Sequence, residues 1–333
     1  MDNELYFITP NRNDQFSLLK GLDLQELIFQ IDNFYLTYRS QLNLPYHVTF
    51  GVEIEYEGIK KSRVDEYISN NFADWKSKKD GSLILGGEIT SPILQDEIDN
   101  WKELQQICKY LRRKQAIMHR NAGGHIHVGA HILGGNFKKC RKFIKLYTVY
   151  ESVLFRFFYG DNISGRKKMQ KYARPIADEL FSNIKVINNA TDIIDIKFSL
   201  PTDKYQAINF KNVDFGRYSY SKENNTIEFR VPNATNNEIV LQNNINTATK
   251  LMLSPTNREI DEELLDYKLE KERISSTFDF YMYNEINLKN VLEFVDSVFD
   301  NNLDKVYFLR QYIKNFQGNF GLKKAVKAKK FTK

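Results

Sequence analysis

Three short stretches of this chain place acids, histidines or an acid and an arginine two residues apart, the spacing that puts side chains on one face of a strand. Glu53 and Glu55 alternate with Val52, Ile54 and Tyr56. His125 and His127 alternate with Ile126 and Val128, behind Gly123-Gly124. Glu228 and Arg230 alternate with Ile227, Phe229 and Val231. Between the first two lie Asp80, in the turn sequence Asp80-Gly81-Ser82, and Glu88, in Gly86-Gly87-Glu88-Ile89-Thr90. Each pattern has an ordinary explanation: a solvated strand face for Glu53 and Glu55, a turn-initiating aspartate, an edge-strand charge at Glu88, a cross-strand pair for Glu228 and Arg230.

Together they carry more. If the strands join one sheet, the polar faces converge into a wall of carboxylates with imidazole, and like charges at close range call for bound cations. Carboxylates select Mg2+ or Mn2+ over zinc, and a histidine keeps Mn2+ in contention. An arginine beside such a cluster points to phosphate, because a guanidinium clamps phosphoryl oxygens and stabilises the charge of transfer. The chemistry read from the residues is metal-nucleotide chemistry on an antiparallel sheet.

The elements that must position these groups follow from periodicity. Val48 to Tyr56 alternates as a strand, Asp80 to Pro92 reads as a short hairpin or bulged strand pair after a polar stretch, and Gly123 to Ile132 alternates again. Phe215 to Tyr220 and Thr226 to Val231 read as two more strands joined by Lys222-Glu223-Asn224-Asn225. Three-and-four spacing predicts helices from Leu24 to Leu42, from Ile93 to about Gln115 (Ile98, Trp101, Leu104, Ile107, Cys108 and Leu111 on one side), from Phe137 to Tyr159, from Glu238 to Leu253 with Ser254-Pro255 closing it, and from Leu288 to Tyr312. Asp161 to Ile208 reads as loop-rich. The domain reading is an N-terminal helical brace over 1–46, a catalytic domain over 47–254, and a C-terminal helical extension over 255–333.

At 333 residues, 42% hydrophobic and 14% aromatic, the chain can bury a substantial core, which excludes disorder. Six lysines between Lys323 and Lys333 account for the formal +6, so the rest is neutral and nucleic-acid binding rests on that tail alone. Cys108 and Cys140 fall in helical segments and suit reduced core thiols of a cytoplasmic protein. No apolar run reaches membrane-spanning length, and the N-terminus lacks the pattern of a secretion signal.

Phe50-Gly51-Val52-Glu53-Ile54-Glu55, Asp80 through Pro92, Gly124-His125-Ile126-His127-Val128, Tyr205 through Asn209, and Thr226 through Val231 resemble, in order, the motifs of the amidoligase family, carboxylate-amine ligases related to glutamine synthetase and glutamate-cysteine ligase. The resemblance runs from about Val48 to Leu253. It implies an α+β fold, an antiparallel sheet packed by long helices as in the glutamine synthetase catalytic domain, with a concave face that holds ATP and Mg2+ or Mn2+. Residue by residue it implies metal ligation by Glu53, Glu55, Asp80, Glu88, His125 and Glu228, and nucleotide contacts from His127, Glu88 and Arg230. Glu53 and Arg230, with Arg217 as a second clamp, would carry the catalysis.

The implied reaction activates a substrate carboxylate as an acyl phosphate and captures it with an amine. The acid is expected on a peptide, a protein or a cell-wall-like peptide, with self-association open. The loop from Asp161 to Ala173, with Arg166, Tyr172 and Arg174, is the expected place for a substrate carboxylate and a lid. A metal-dependent hydrolase, with His125 and His127 holding the metal, and a metal-nucleotide binding module without turnover are the competing readings.

Overall fold

The computed structural model describes residues 36–118, 121–159, 172–213, 225–271 and 285–313. It is an α+β fold built on six antiparallel strands: β1 (Phe50–Glu57), β2 (Lys76–Lys78), β3 (Gly86–Thr90), β4 (Gly124–Gly129), β5 (Ile208–Asn209) and β6 (Thr226–Phe229), in the spatial order β2-β3-β1-β4-β6-β5. The helices are α1 (Lys61–Asn71), α2 (Ile98–Arg113), α3 (Phe137–Tyr159), α4 (Ala177–Ser182), α5 (Ile184–Asn189), α6 (Ile193–Ser199), α7 (Glu238–Asn257), α8 (Glu262–Lys271), α9 (Glu285–Val298) and α10 (Asn302–Ile313).

Alternation decides the two faces. Val52, Ile54 and Tyr56 of β1, Ile126 and Val128 of β4, and Ile227 and Phe229 of β6 are buried on the helix side. Phe50 stacks on Trp101 of α2, ring centroids 5.2 Å apart, and α7 packs behind β4. Helix α3 lies against α7 and in turn meets α8, α9 and α10, whose Val291, Phe294, Val295 and Phe308 join the same apolar core. Close backbone approach requires glycine at Gly124, where a Cβ would stand 2.7 Å from the Asn233 carbonyl oxygen.

Several expected elements differ. Residues 1–35 lie outside the described residues, and Leu36 to Leu42 is not helical despite its apolar spacing. Its backbone is claimed by tertiary partners: Leu42 N–H and Leu44 N–H donate to the Asp96 carboxylate at 2.8 Å each, Arg39 N–H donates to Gln242 Oε1 at 2.9 Å, and Gln242 Nε2 returns a bond to Arg39 C=O at 2.7 Å. The polar stretch before Asp80 contains α1, whose few apolar residues, Val64 and Ile68, sit four apart and face the core. The hairpin is β2 with β3, so Leu83 to Leu85 lies in the connection rather than in a strand.

Helix α2 begins at Ile98, not Ile93, because Leu94 and Phe50 exchange backbone hydrogen bonds at 2.8 and 2.9 Å, and Ile98 itself is exposed. Strand β4 stops at Gly129, and Ala130–Leu133 forms a 3-10 turn that takes His131 off the histidine face to the His47 carbonyl. The segment read as loop-rich holds α4, α5 and α6, the last capped by Asp192, which accepts from Ile194 N–H and Asp195 N–H. Pro255 does not close α7: the Leu251 carbonyl that its missing N–H would have served accepts Ser254 Oγ–H at 2.9 Å. The single helix expected from Leu288 to Tyr312 is broken into α9 and α10, where Asn301 Oδ1 accepts Asp304 N–H and restarts the turn. Phe215 to Tyr220, Asp161 to Lys171 and the lysine tail lie outside the described residues.

Candidate functional site

The polar face of the sheet is ordered in rows by strand register. Glu53 of β1 stands opposite His125 of β4, and Glu55 opposite Glu88 of β3. His127 stands opposite Glu228 of β6, which in turn faces Asn209 of β5. Neighbouring strands are about 4.8 Å apart, so directly opposed side chains on one face meet.

They do. His125 Nδ1 lies 2.8 Å from Glu53 Oε2 and 3.5 Å from Glu228 Oε1, and its Nε2 lies 3.8 Å from Glu55 Oε1. His127 Nε2 lies 3.3 Å from the other Glu53 oxygen, while its Nδ1 faces Thr226 Oγ1 at 3.3 Å. Glu55 Oε2 accepts Gly123 N–H at 2.6 Å, and Glu228 Oε2 accepts Asn209 Nδ2–H at 2.7 Å. Arg230 donates to Glu228 Oε1 and, more weakly, through Nε to the Tyr172 carbonyl at 3.4 Å. Glu88 accepts Thr90 Oγ–H at 2.8 Å, with Lys78 Nζ 3.9 Å away, and Asp80 caps its own turn by accepting Ser82 N–H at 2.6 Å.

Two sets of ligating atoms result, each within 4.8 Å of one another: Glu53, His127 and Glu228, and Glu55, Asp80 and Glu88. His125 is buried between them. Of the site residues expected from sequence, Glu53, Glu55, Asp80, Glu88, His125, His127, Glu228 and Arg230 are brought together. His127, rather than His125, falls in the first set. Arg217 and Arg166 lie outside the described residues. Arg174 sits at the exposed rim, paired with Asp203.

The electrostatics fit a cation. Burial pushes the Glu55 carboxyl up, against the pull of His125 and the Gly123 N–H, and Asp80 and Glu88 push it further. Glu88 is raised by burial and then by the charge of Glu53. Glu53 is the opposite case: burial works against its ionisation, but the imidazoles of His125 and His127 hold it well below the usual carboxylate range. Burial disfavours the imidazolium of His125, yet the hydrogen bond to Glu53 and the charge of Glu55 outweigh it, and the His125 pKa is raised. His127 Nε2 is buried 3.3 Å from Glu53 Oε1, in a geometry short of a well-formed hydrogen bond. A buried imidazole nitrogen beside Glu53 and Glu228, next to a second set whose Glu55 and Glu88 resist ionisation, is a donor arrangement that an oxygen-preferring divalent ion completes.

Sequence reasoning assigned no role to three further residues. Asn209 orients Glu228, Thr226 faces His127, and Glu57, next in the alternation after Glu53 and Glu55, lies buried at the edge of the second set. Alternation puts Glu57 on the acidic face of β1 with Glu53 and Glu55, and could have flagged Thr226 as well. Asn209 ends the motif Tyr205 through Asn209, but nothing local pairs it with Glu228.

These features define a class: an α+β protein that gathers metal-ligating side chains and an arginine on one face of an antiparallel sheet. The chain belongs to the amidoligase family, described as "Putative amidoligase enzyme", whose match covers residues 65–252, more than half of the 333. Membership makes it, at that level, a ligase-type enzyme that forms amide bonds. Asp80, Glu88, His125, His127, Glu228 and Arg230 fall inside the matched span; Glu53 and Glu55 precede it and reach the site through β1. No curated protein matches the chain. Among the described residues, no helix is long and apolar enough to cross a membrane.

Proposed function

We infer that the protein is an ATP-dependent carboxylate-amine ligase working through an acyl phosphate, on a sheet of the glutamine synthetase kind. The observation that carries this reading is the pair of ligating sets on one face, Glu53, His127 and Glu228 beside Glu55, Asp80 and Glu88, with Arg230 at the edge of the first. These residues would hold two divalent ions, Mg2+ or Mn2+, which when bound supply neutralisation of phosphoryl charge.

The chain's own residues divide the remaining work. His125 holds Glu53 by a hydrogen bond at 2.8 Å and stands 3.5 and 3.8 Å from oxygens of Glu228 and Glu55, so its charge bears on carboxylates of both sets. Arg230 is held by Glu228, so its guanidinium is poised at the ligating set and can turn to the transferring phosphoryl group. The substrate carboxylate attacks the γ-phosphorus, the bond to the bridging oxygen breaks, and ADP leaves. An amine then attacks the acyl carbon and phosphate departs, giving the amide; water must be kept from that step. Arg217 is proposed as a second clamp. The acid is proposed to lie on a peptide or protein.

The test is thermal-shift and calorimetric titration with ATP, ADP and a non-hydrolysable ATP analogue, with Mg2+, Mn2+ or EDTA. A ligand that binds only the native state raises the melting temperature, so the acid and amine need not be known. Metal-dependent stabilisation by the analogue is expected, followed by ADP release when acids and amines are screened together. A folded protein that ignores every nucleotide in the presence of metal would defeat the reading.

A further inference from the structure

Glu57 is the third carboxylate of the β1 alternation, yet it belongs to neither ligating set. It is 4% exposed, and its oxygens are taken up by the connection between β2 and β3 and by Asn121 ahead of β4. Oε1 accepts Ile84 N–H at 2.8 Å and Asn121 Nδ2–H at 3.0 Å, and Oε2 lies 3.3 Å from the same Asn121 nitrogen. One residue on, Gly58 N–H donates to the Leu85 carbonyl at 2.8 Å, with Gly58 at φ +82° and Leu85 at φ 49°. Leu85 therefore holds a left-handed conformation that a leucine rarely adopts, which persists only where the surroundings fix it.

The segment so held is the one that carries Asp80. Among the described residues Asp80 bonds only within its own turn, and Ile84 and Leu85 expose their apolar side chains, so that Leu83, half-buried against the core, is the apolar anchor of this stretch. Among the described residues, Glu57 is the one side chain outside the connection that bonds its backbone. Glu55 and Glu88 sit on paired strands and are placed by the sheet, whereas Asp80 is placed by a loop.

We propose that Glu57 is a positioning residue for the second ligating set: by holding Ile84 N–H it seats the loop that delivers Asp80 to Glu55 and Glu88. This rests on the metal-binding reading above. The role is one of hydrogen bonding and not of charge or ligation, which gives it a distinctive signature. Glutamine keeps an acceptor for Ile84 N–H and can pair with Asn121 if that amide turns over; alanine keeps neither.

The experiment is Mn2+ titration of the full chain by calorimetry and electron paramagnetic resonance, with Asp80→Asn marking the second set. Wild type is expected to bind in two classes. Glu57→Ala is expected to weaken the class lost in Asp80→Asn by about 10-fold, the order set by losing one charge-assisted hydrogen bond, while the other class is unchanged. Glu57→Gln is expected to keep wild-type affinity, and Glu57→Ala in the Asp80→Asn background is expected to do nothing further. Glu57→Gln failing as badly as Glu57→Ala would show that charge or ligation matters, and overturns the proposal. So would two intact classes in Glu57→Ala, or loss of both together. Absence of two classes in wild type would overturn the two-ion reading itself, and this inference with it.

Discussion

Asn209→Ala tests whether the first ligating set is preorganised by the fold. Asn209 is buried, donates to Glu228 Oε2 at 2.7 Å, and accepts Lys211 N–H on Oδ1 at 2.9 Å, so one side chain ties the ligand to the start of the next turn. A hydrogen bond to a charged group contributes about 1.5–3 kcal/mol. If that energy orients Glu228 for an ion, its loss corresponds to about a 10- to 150-fold weaker site at about 1.4 kcal/mol per tenfold. That range agrees with the loss of about 10- to 100-fold seen when outer-shell partners of metal sites are removed. The second set, Glu55, Asp80 and Glu88, makes no contact with Asn209 through register and should keep its affinity. Two-class Mn2+ titration reads both numbers, and a thermal melt in EDTA reads the structural cost separately. Equal weakening of both classes, or none in either, would refute the reasoning that Asn209 acts through Glu228.

Glu53→Gln is expected to keep native circular dichroism but to abolish metal-dependent stabilisation by the ATP analogue, since Glu53 faces both histidines; an unchanged titration would remove it from the site. Arg230→Ala is expected to retain Mn2+ binding while ADP release stops, and normal turnover in that variant would reject its role as a clamp. Glu262 of α8 accepts from Arg141 Nε at 2.6 Å and Lys145 Nζ at 2.8 Å on α3, and although burial opposes ionisation these cations hold its carboxyl below the usual range. A lowered folded pKa means the unfolded chain binds the extra proton, so this contribution is present above the unfolded value of about 4.3 and fades as pH falls through the folded one. Glu262→Gln is therefore expected to flatten the acid limb of the stability curve there, and an identical limb in urea melts would exclude the coupling.

Much of the site was legible because strand alternation is a local property. Glu53 with Glu55, His125 with His127, and Glu228 with Arg230 share faces whatever the strands pair with, and the apolar residues between them fix which face turns to the helices. The same logic failed at Tyr38 and Leu42, where helical spacing was real but Asp96 and Gln242 took the backbone hydrogen bonds a helix would have needed. It also passed over α1, where Val64 and Ile68 are too few to stand out among charges.

Type and spacing thus determined that the chain has polar-faced strands rich in metal-ligating groups, because a two-residue period needs no partner. Register belongs to the tertiary structure. Only strand pairing sets Glu53 against His125 and His127 against Glu228, buries His125 between carboxylates, and leaves His127 Nε2 to complete a ligating set. The partners of Asn209 and Glu57 are set the same way, since each bonds a residue distant in the chain that no local pattern pairs with it.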